Sequence, residues 1–372
     1  MLVCVRCAAE TEPAPVYHCP QCTGALEPRL ALAGAAPKAH AEPERAYFDF
    51  LPLESTDLLA GGVSVRTPCR PVPALGKALG VPRLWVKDET RQPSGSTKDR
   101  LASVVLAMFR QFGVTEFVTA STGNSSTALA RAVRHDPAMR AHFFCGRDFV
   151  SGQEFVRDER VTLTVVAGSY AAAGGQAREF AEERGLHMEG GFFNWARREG
   201  LKLAYLEAMD EMGCAPDVVV QAVSSGMGIL AAEKAVREYT ATGRVSRTPR
   251  FLMVQEASCA PMAAAWQAGR TELTEVDVIT EPTGLATAIL LGDGQPYYPY
   301  LADIAARSGG AIVAADAEAL TRARDDLREL AGIDACYASA ATVAAVRAEA
   351  AAGRIDRDET VLVNITGRAR NT

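Results

Sequence analysis

The chain has 372 residues and a net charge of −6, with 48% hydrophobic and 23% charged residues, an ordinary composition for a globular protein of about two to three domains. The acidic balance argues against a general affinity for nucleic acid, and no run approaches the roughly 18 apolar residues that would span a bilayer. The N-terminus, MLVCVRC, lacks a basic region followed by an apolar stretch, so the expectation is a cytoplasmic protein acting on a small molecule.

Cys4, Cys7, Cys19 and Cys22 form CVRC and CPQC with eleven residues between them, the double-knuckle spacing of a small zinc ribbon. Residues 1–30 contain too few apolar side chains to fold alone, and four thiolates on one Zn2+ would supply the missing stability. Disulfides fit poorly with a cytoplasmic chain. Four sulfur ligands leave the ion no open position, so its role would be structural. The other five cysteines are scattered and read as small buried hydrophobes. Residues 31–45, ALAGAAPKAHAEPER, read as a linker.

From about residue 48 short apolar runs alternate with helical patterns. LWVK (84–87) reads as a strand, and Leu101, Val104, Val105, Met108, Phe109 and Phe112 share one helical face that ends at Gly113. EFVTAS (116–121), AHFFC (141–145), VTLTVV (161–166), DVVVQAV (217–223), FLMVQEA (251–257), AIVAA (311–315) and VLVNIT (361–366) are further strands. STALARAVR, AGGQAREFAEERG and ILAAEKAVREY read as helices between them. Strand, turn and helix repeated this often predict parallel sheets covered by helices on both faces, with ligands at the carboxyl ends of the strands.

Four clusters fall at such ends. In PSGSTKDRLA (93–102), Ser96 and Asp99 have the spacing of a capping box. That pattern leaves Lys98 unexplained, because a cation in the first turn faces the positive end of the helix dipole. Such a site lowers a lysine's pKa and favours the neutral amine that attacks an aldehyde; the alternative is a capped helix with a solvated lysine. In ASTGNSS, Ser121, Thr122, Gly123, Asn124 and Ser125 open a helix after a strand. This is either an anion-binding turn with an amide donor or a glycine loop with an N-cap serine. SSGMG, Ser224 to Gly228, suits a phosphate for the same reason. It is not GxGxxG and no acidic residue follows at the expected distance, which argues against a dinucleotide fold. ITGR (365–368) offers a threonine hydroxyl beyond the last strand, or simply a strand ending at a glycine turn.

Together these segments resemble a family. From about residue 46 onward the chain is similar to the fold-type II pyridoxal-phosphate enzymes (tryptophan synthase β-like), and within them to threonine synthase. RTPCRPVPALGKALG resembles the family's TPL opening segment, and KDETRQPSGSTKDR its KDE…PTGSFKDR lysine motif. ASTGNSS resembles the ring-contacting loop, SSGMG the phosphate loop, and NWARREGLK (194–202) the N-x-x-R-x-E-G-x-K segment. VQEASCAP and NITG are similar to VQ-x-x-x-CAP and the terminal LTG, and CTGALEPRL resembles the ribbon extension carried by some threonine synthases. The resemblance implies an α/β protein of two parallel-sheet, three-layer domains plus the ribbon: 46–100 and 205–372 as a large domain, 101–204 as a small one, in a homodimer.

The resemblance also implies roles. Lys98 would carry pyridoxal 5'-phosphate covalently and move protons at the substrate's α and β carbons. Asn124 would contact the ring's 3′ oxygen, Ser224, Ser225, Gly226, Met227 and Gly228 the phosphate, and Thr366 the ring nitrogen. Ser96, Ser121, Thr122 and Ser125 would face the amino-acid substrate, with Asn194, Arg197 and Lys202 on its anionic side. The implied reaction is O-phosphohomoserine plus water to threonine plus phosphate. Alternatives are a cysteate synthase-like replacement on O-phosphoserine, a threonine or serine dehydratase-like lyase, and a non-catalytic binding protein on the same scaffold. Three departures bear on the substrate. The family's G-N-x-D-D-A-x-R reads GSYAAAGG, with Ser169 for asparagine and Gly175 for arginine; A-E-P-S-G-A reads ACYASA, with Cys336 for glutamate; and GEG reads GGVS.

Overall fold

The structure, a computed structural model, describes residues 1–168 and 170–370. Ser169, one of the departures named above, lies outside the described residues. The described residues form two compact units: Met1–Arg66 with Gln92–Leu203, and Thr67–Arg91 with residues 204–370.

The second unit is built on a six-stranded sheet. Its order is Ala311–Ala315, Arg250–Glu256, Val218–Ala222, Val361–Ile365, Leu84–Asp88 and Cys69–Pro71. The first five run parallel, with Val220 beside Leu252 and Val363, and Val363 beside Val86. Helices cover the sheet, so both faces of the central strands are buried, and the runs VVVQA and VLVNI are correspondingly apolar without alternation. One face, carrying Val218, Val220, Val361, Val363 and Ile365, packs on the alanine-rich helix Tyr337–Ala351. The sixth strand is antiparallel, pairing Cys69 with Lys87. It is three residues long and contains a proline, which confines it to an edge and left no periodic signal to read.

The first unit carries a four-stranded parallel sheet, ordered Val161–Val166, Arg140–Gly146, Glu116–Ala120 and His187–Met188. The helices Lys98–Gln111 and Asn124–His135 pack side by side in this unit. A three-stranded antiparallel ribbon, Leu2–Cys4 between Glu10–Thr11 and Leu26–Pro28, completes it.

One expected detail is corrected. Ser96 and Asp99 do not form a capping box: the helix starts at Lys98 behind Thr97, and no N-cap side chain bonds to it. The carboxylate of Asp99 accepts instead from the N–H of Ser94 at 2.6 Å, and Ser96 Oγ accepts from the N–H of Lys98 at 3.4 Å. The left-handed turn at Gly95 (φ +76°) folds Ser94 back over the helix start, so the carboxylate meets a donor two residues earlier than the motif supposes.

Candidate functional site

In the first unit Lys98 is the first residue of its helix and the only half-buried residue in a run, Ser94 to Leu101, that is otherwise buried. The run is stitched by Ser94, Ser96 and Asp99, so the lysine leaves a rigid loop at the positive end of a 14-residue helix.

The adjacent helix begins at Asn124, directly after the strand Glu116–Ala120. Ser121 is buried, and its Oγ accepts from the N–H groups of Gly123 and Ser126 at 3.2 Å each. That hydroxyl shapes the turn. Thr122 is exposed, while Asn124 and Ser125 are half-buried at the helix start, where unpaired backbone N–H groups and the dipole favour an anion. A residue absent from the sequence reading supports this turn: Gln153 donates through Nε2 to Ser121 O at 3.1 Å, and its Oε1 meets Ser126 Oγ. Nothing local in the sequence ties position 153 to 121; only the fold does.

The basic segment expected on the substrate's anionic side is inward-facing. Asn194 is fully buried, donating to Glu189 O at 2.7 Å and accepting at Oδ1 from Ala196 N at 2.9 Å. Lys202 is fully buried, its Nζ 2.7 Å from Phe50 O and 2.6 Å from Glu199 Oε2. Arg198 donates to the carbonyls of Phe192 and Leu26. Arg197 grips Glu189 with Nε and Nη2 and reaches Ser125 Oγ with Nη1 at 3.4 Å. Glu189 is the hub of this arrangement, accepting also from Gly191 N and Thr119 Oγ1 at 3.3 Å each. Its signal was a single acid in the stretch LHMEGGFFN, ahead of the arginine pair.

In the second unit two turns leave neighbouring strands at the same sheet edge. Val218–Ala222 runs into Ser224–Gly228, and Val361–Ile365 into Thr366. Gly226 takes φ +85° at the N-cap of the 15-residue helix Met227–Ala241, a conformation that favours glycine. Ser224, Ser225, Met227 and Gly228 are half-buried, and the turn holds no acidic residue. Free backbone donors, two hydroxyls and a helix N-terminus fit a phosphate. Thr366 is half-buried, its Oγ1 3.3 Å from Ser339 Oγ, which also bonds the N–H of Gly367 at 3.1 Å. Cys336, at the N-cap of the same helix as Ser339, lies with Sγ 3.3 Å from that hydroxyl. A neutral hydroxyl held this way fits a heterocycle nitrogen without a full charge. Under the two turns, Tyr205 donates to Gln221 Oε1 and accepts from Asn364 Nδ2 at 3.2 Å, which ties the two strands together at Gln221 and Asn364.

The four ribbon cysteines place their sulfurs within 4.8 Å of one another. The spacings of Cys4 to Cys22, 3.4 Å, and Cys7 to Cys19, 3.6 Å, lie close to the edge of about 3.8 Å that a tetrahedral zinc–thiolate site requires. The N–H groups of Arg6 and Gln21 point at the sulfurs of Cys4 and Cys19, each at 3.4 Å. This set is compatible with a closed structural zinc site. No helix among the described residues is long and apolar enough to cross a membrane.

Residues 63–367 match the family described as pyridoxal-phosphate dependent enzyme. A threonine synthase of Methanosarcina acetivorans is 27% identical over 98% of this chain and 91% of its own. A cysteate synthase of Methanothrix thermoacetophila is also 27% identical, over 87% of this chain and 80% of its own. Among solved structures, maize serine racemase superposes with a TM-score of 0.69 at 19% identity, covering 83% of this chain and 89% of that one; it shares the fold.

Proposed function

Because this chain belongs to the pyridoxal-phosphate dependent enzyme family, we propose that it is a carbon–oxygen lyase of the threonine synthase type, converting O-phosphohomoserine and water to threonine and phosphate. The observation that carries this reading is the set of helix-start and strand-end groups in family order. Lys98 and Asn124 stand at two helix starts in one unit, and the Ser224–Gly228 turn and the Thr366 hydroxyl stand at two adjacent strand ends in the other.

When bound, pyridoxal phosphate supplies an electron sink for charge developed at the substrate's α carbon. The chain's own residues do the rest. The Lys98 amine would take protons from the α and then the β carbon as phosphate leaves the γ carbon, and would return them at the γ and α carbons while water adds its hydroxyl at the β carbon, the work of a positioned general base and acid. The Ser224–Gly228 turn fixes the coenzyme phosphate through backbone N–H groups. Thr366, a neutral partner, leaves the ring nitrogen without a carboxylate to keep it protonated, which suits elimination and replacement over chemistry needing the full sink. Asn124 and Ser125, with the helix N-terminus behind them, receive anionic oxygens.

A second reading, β-replacement on O-phosphoserine by sulfite, is supported by the cysteate synthase relative, which is as similar to this chain, at 27% identity, as the threonine synthase. Gly175, in place of the family's phosphate-binding arginine, bears on both readings, since both substrates carry a phosphate. The two readings separate in one assay: the purified enzyme is mixed with O-phosphohomoserine, or with O-phosphoserine and sulfite, and phosphate and products are followed by NMR. Threonine from the first supports the leading reading; cysteate from the second, with no threonine from the first, overturns it.

A further inference from the structure

We propose that the four-cysteine ribbon is a positioning element for the substrate side of the site, acting through Tyr17 on the Glu189–Arg197 pair. The proposal deepens the reading above and rests on the part of it in which the turn at Ser121–Ser125 receives the substrate's anionic group.

The ribbon is not held apart by its linker. Its loop Ala14–His18, which lies between the two cysteine pairs, sits on the segment His187–Arg198. The Tyr17 ring occupies the space over Gly190 so closely that a Cβ there would lie 2.4 Å from two ring carbons, and Gly190 takes φ +90° to admit it. Tyr17 Oη lies 2.5 Å from His187 Nε2. The His18 ring lies 4.1 Å from that of Phe193, and Trp195 Nε1 donates to Ala14 O at 3.3 Å. From the other side Arg198 donates to Leu26 O, in the third ribbon strand. Four of the touched positions, His187, Gly190, Phe193 and Trp195, flank Glu189 or precede Arg197, and Arg197 reaches Ser125 Oγ at 3.4 Å.

The direction of control follows from relative stability. The ribbon's strands are three, two and three residues long, and its fully buried apolar side chains are few, Leu2, Ala25 and Leu26 among them. A segment of this size gains its fold from a metal rather than from a core. Loss of the ion releases the loop that carries Tyr17 and His18, two residues and one residue before Cys19. Gly190 and its neighbours then lose the ring that packs them, and the Glu189–Arg197–Ser125 chain loses its outer wall. Tyr17 acts through its contacts with Gly190 and His187, so it is a positioning residue.

Hydrogen exchange followed by mass spectrometry on the coenzyme-loaded protein tests this. The comparison sets wild type beside Tyr17→Ala, Tyr17→Phe and wild type depleted of metal by a chelator under reducing conditions. The expected result is exchange about tenfold faster in peptides covering 187–198 and 121–127 in Tyr17→Ala and in the depleted protein, with strands 218–222 and 361–365 unchanged. Tyr17→Phe keeps the ring over Gly190 and should stay near wild type, and zinc added back should reverse depletion. The half-saturating concentration of the productive substrate should rise about fivefold in Tyr17→Ala while kcat moves less. Faster exchange confined to residues 1–30, or uniform across both units, overturns the proposal. Should Tyr17→Ala fail to fold, the depleted wild type carries the same reading. A protein with no lysine-bound coenzyme would remove the proposed function, whereas normal coenzyme with unaltered exchange at 187–198 and 121–127 removes only this inference.

Discussion

Arg197 and Glu189 meet along two parallel hydrogen bonds: Nε donates to Oε1 at 2.5 Å, Nη2 donates to Oε2, and both side chains are almost fully buried. A buried pair of this kind adds little net stability over a packed apolar pair, but removing one member strands the other charge. Arg197→Ala should therefore cost about 3–5 kcal/mol in denaturant unfolding. Arg197→Lys should recover only part of that, because an ammonium cannot match the fork. A loss of less than about 1 kcal/mol for Arg197→Ala, the range of an exposed pair, would contradict the buried geometry.

Lys98→Ala tests the lysine without touching the loop. Asp99 and Ser96 hold the helix start through backbone N–H groups, and alanine is a better helix former than lysine. The variant should fold, because the backbone bonds that hold the helix start do not involve the Lys98 side chain, and its melting temperature should stay within a few degrees of wild type. It should bind coenzyme only reversibly, so borohydride followed by peptide mass spectrometry fixes the cofactor to residue 98 in wild type and to nothing in the variant. Activity should fall by about a thousandfold or more, as when a general base and covalent anchor are lost together. Coenzyme fixed to another lysine would contradict the assignment of Lys98.

These two sites were unequally legible in the sequence. Asn124, Ser224–Gly228 and Thr366 follow the carboxyl ends of strands whose apolar runs are unmistakable, Lys98 opens a helix whose apolar face is equally plain, and LWVK, VTLTVV and AIVAA fall within or match the strands observed. Strand ends are local features, so pattern reading finds them. The inward commitment of Asn194, Arg197 and Lys202 was not legible, because it depends on Glu189, Phe50 and Ser125, partners up to 152 residues away in the chain. The spacing of Arg198, Glu199 and Lys202 fits an exposed, locally paired helix face equally well. The short strand at Cys69 and the support of Ser121 by Gln153 were hidden for the same reason: each is specified by a neighbour in space.

Acid should loosen the segment that carries Glu189. Burial lowers the pKa of His187 from its ordinary 6.5, while the Glu189 carboxylate pulls the other way. Burial also raises the Tyr17 hydroxyl well above its usual range, so at neutral pH the phenol keeps its proton to donate to an unprotonated Nε2. A lowered folded-state pKa means that below 6.5 the unfolded chain binds more protons than the folded one. The stabilising contribution is therefore present above that pH and is lost as the pH falls through the folded value. Between about pH 7 and 5 wild type should lose melting temperature more steeply than His187→Gln, which cannot titrate. Parallel slopes would show that His187 does not contribute.

The ribbon thiols make the last prediction. Burial, helped by the neighbouring thiols of Cys22 and Cys7, pushes the Cys4 thiol up to about 12 although backbone N–H contacts from Cys7 and Arg6 pull it down. For Cys19 burial also works against the thiolate, but the N–H groups of Gln21 and Cys22 and the thiols of Cys7 and Cys4 outweigh it and hold the group at about 7. Without a metal, then, Cys4 keeps its proton at neutral pH, and an incoming Zn2+ must displace it. Metal binding that releases protons weakens as the solution becomes more acidic. The purified protein should carry about one equivalent of zinc, the content of a closed four-thiolate site. It should lose that zinc on acidification, with proton release measurable when the apo ribbon is refilled. Cys19→Ser should abolish zinc retention, expose residues 1–30 to protease, and leave the coenzyme attached to Lys98. Wild-type protein without zinc whose first 30 residues still resist protease would contradict a metal-held ribbon, since the three short strands offer too little buried apolar surface to hold it alone.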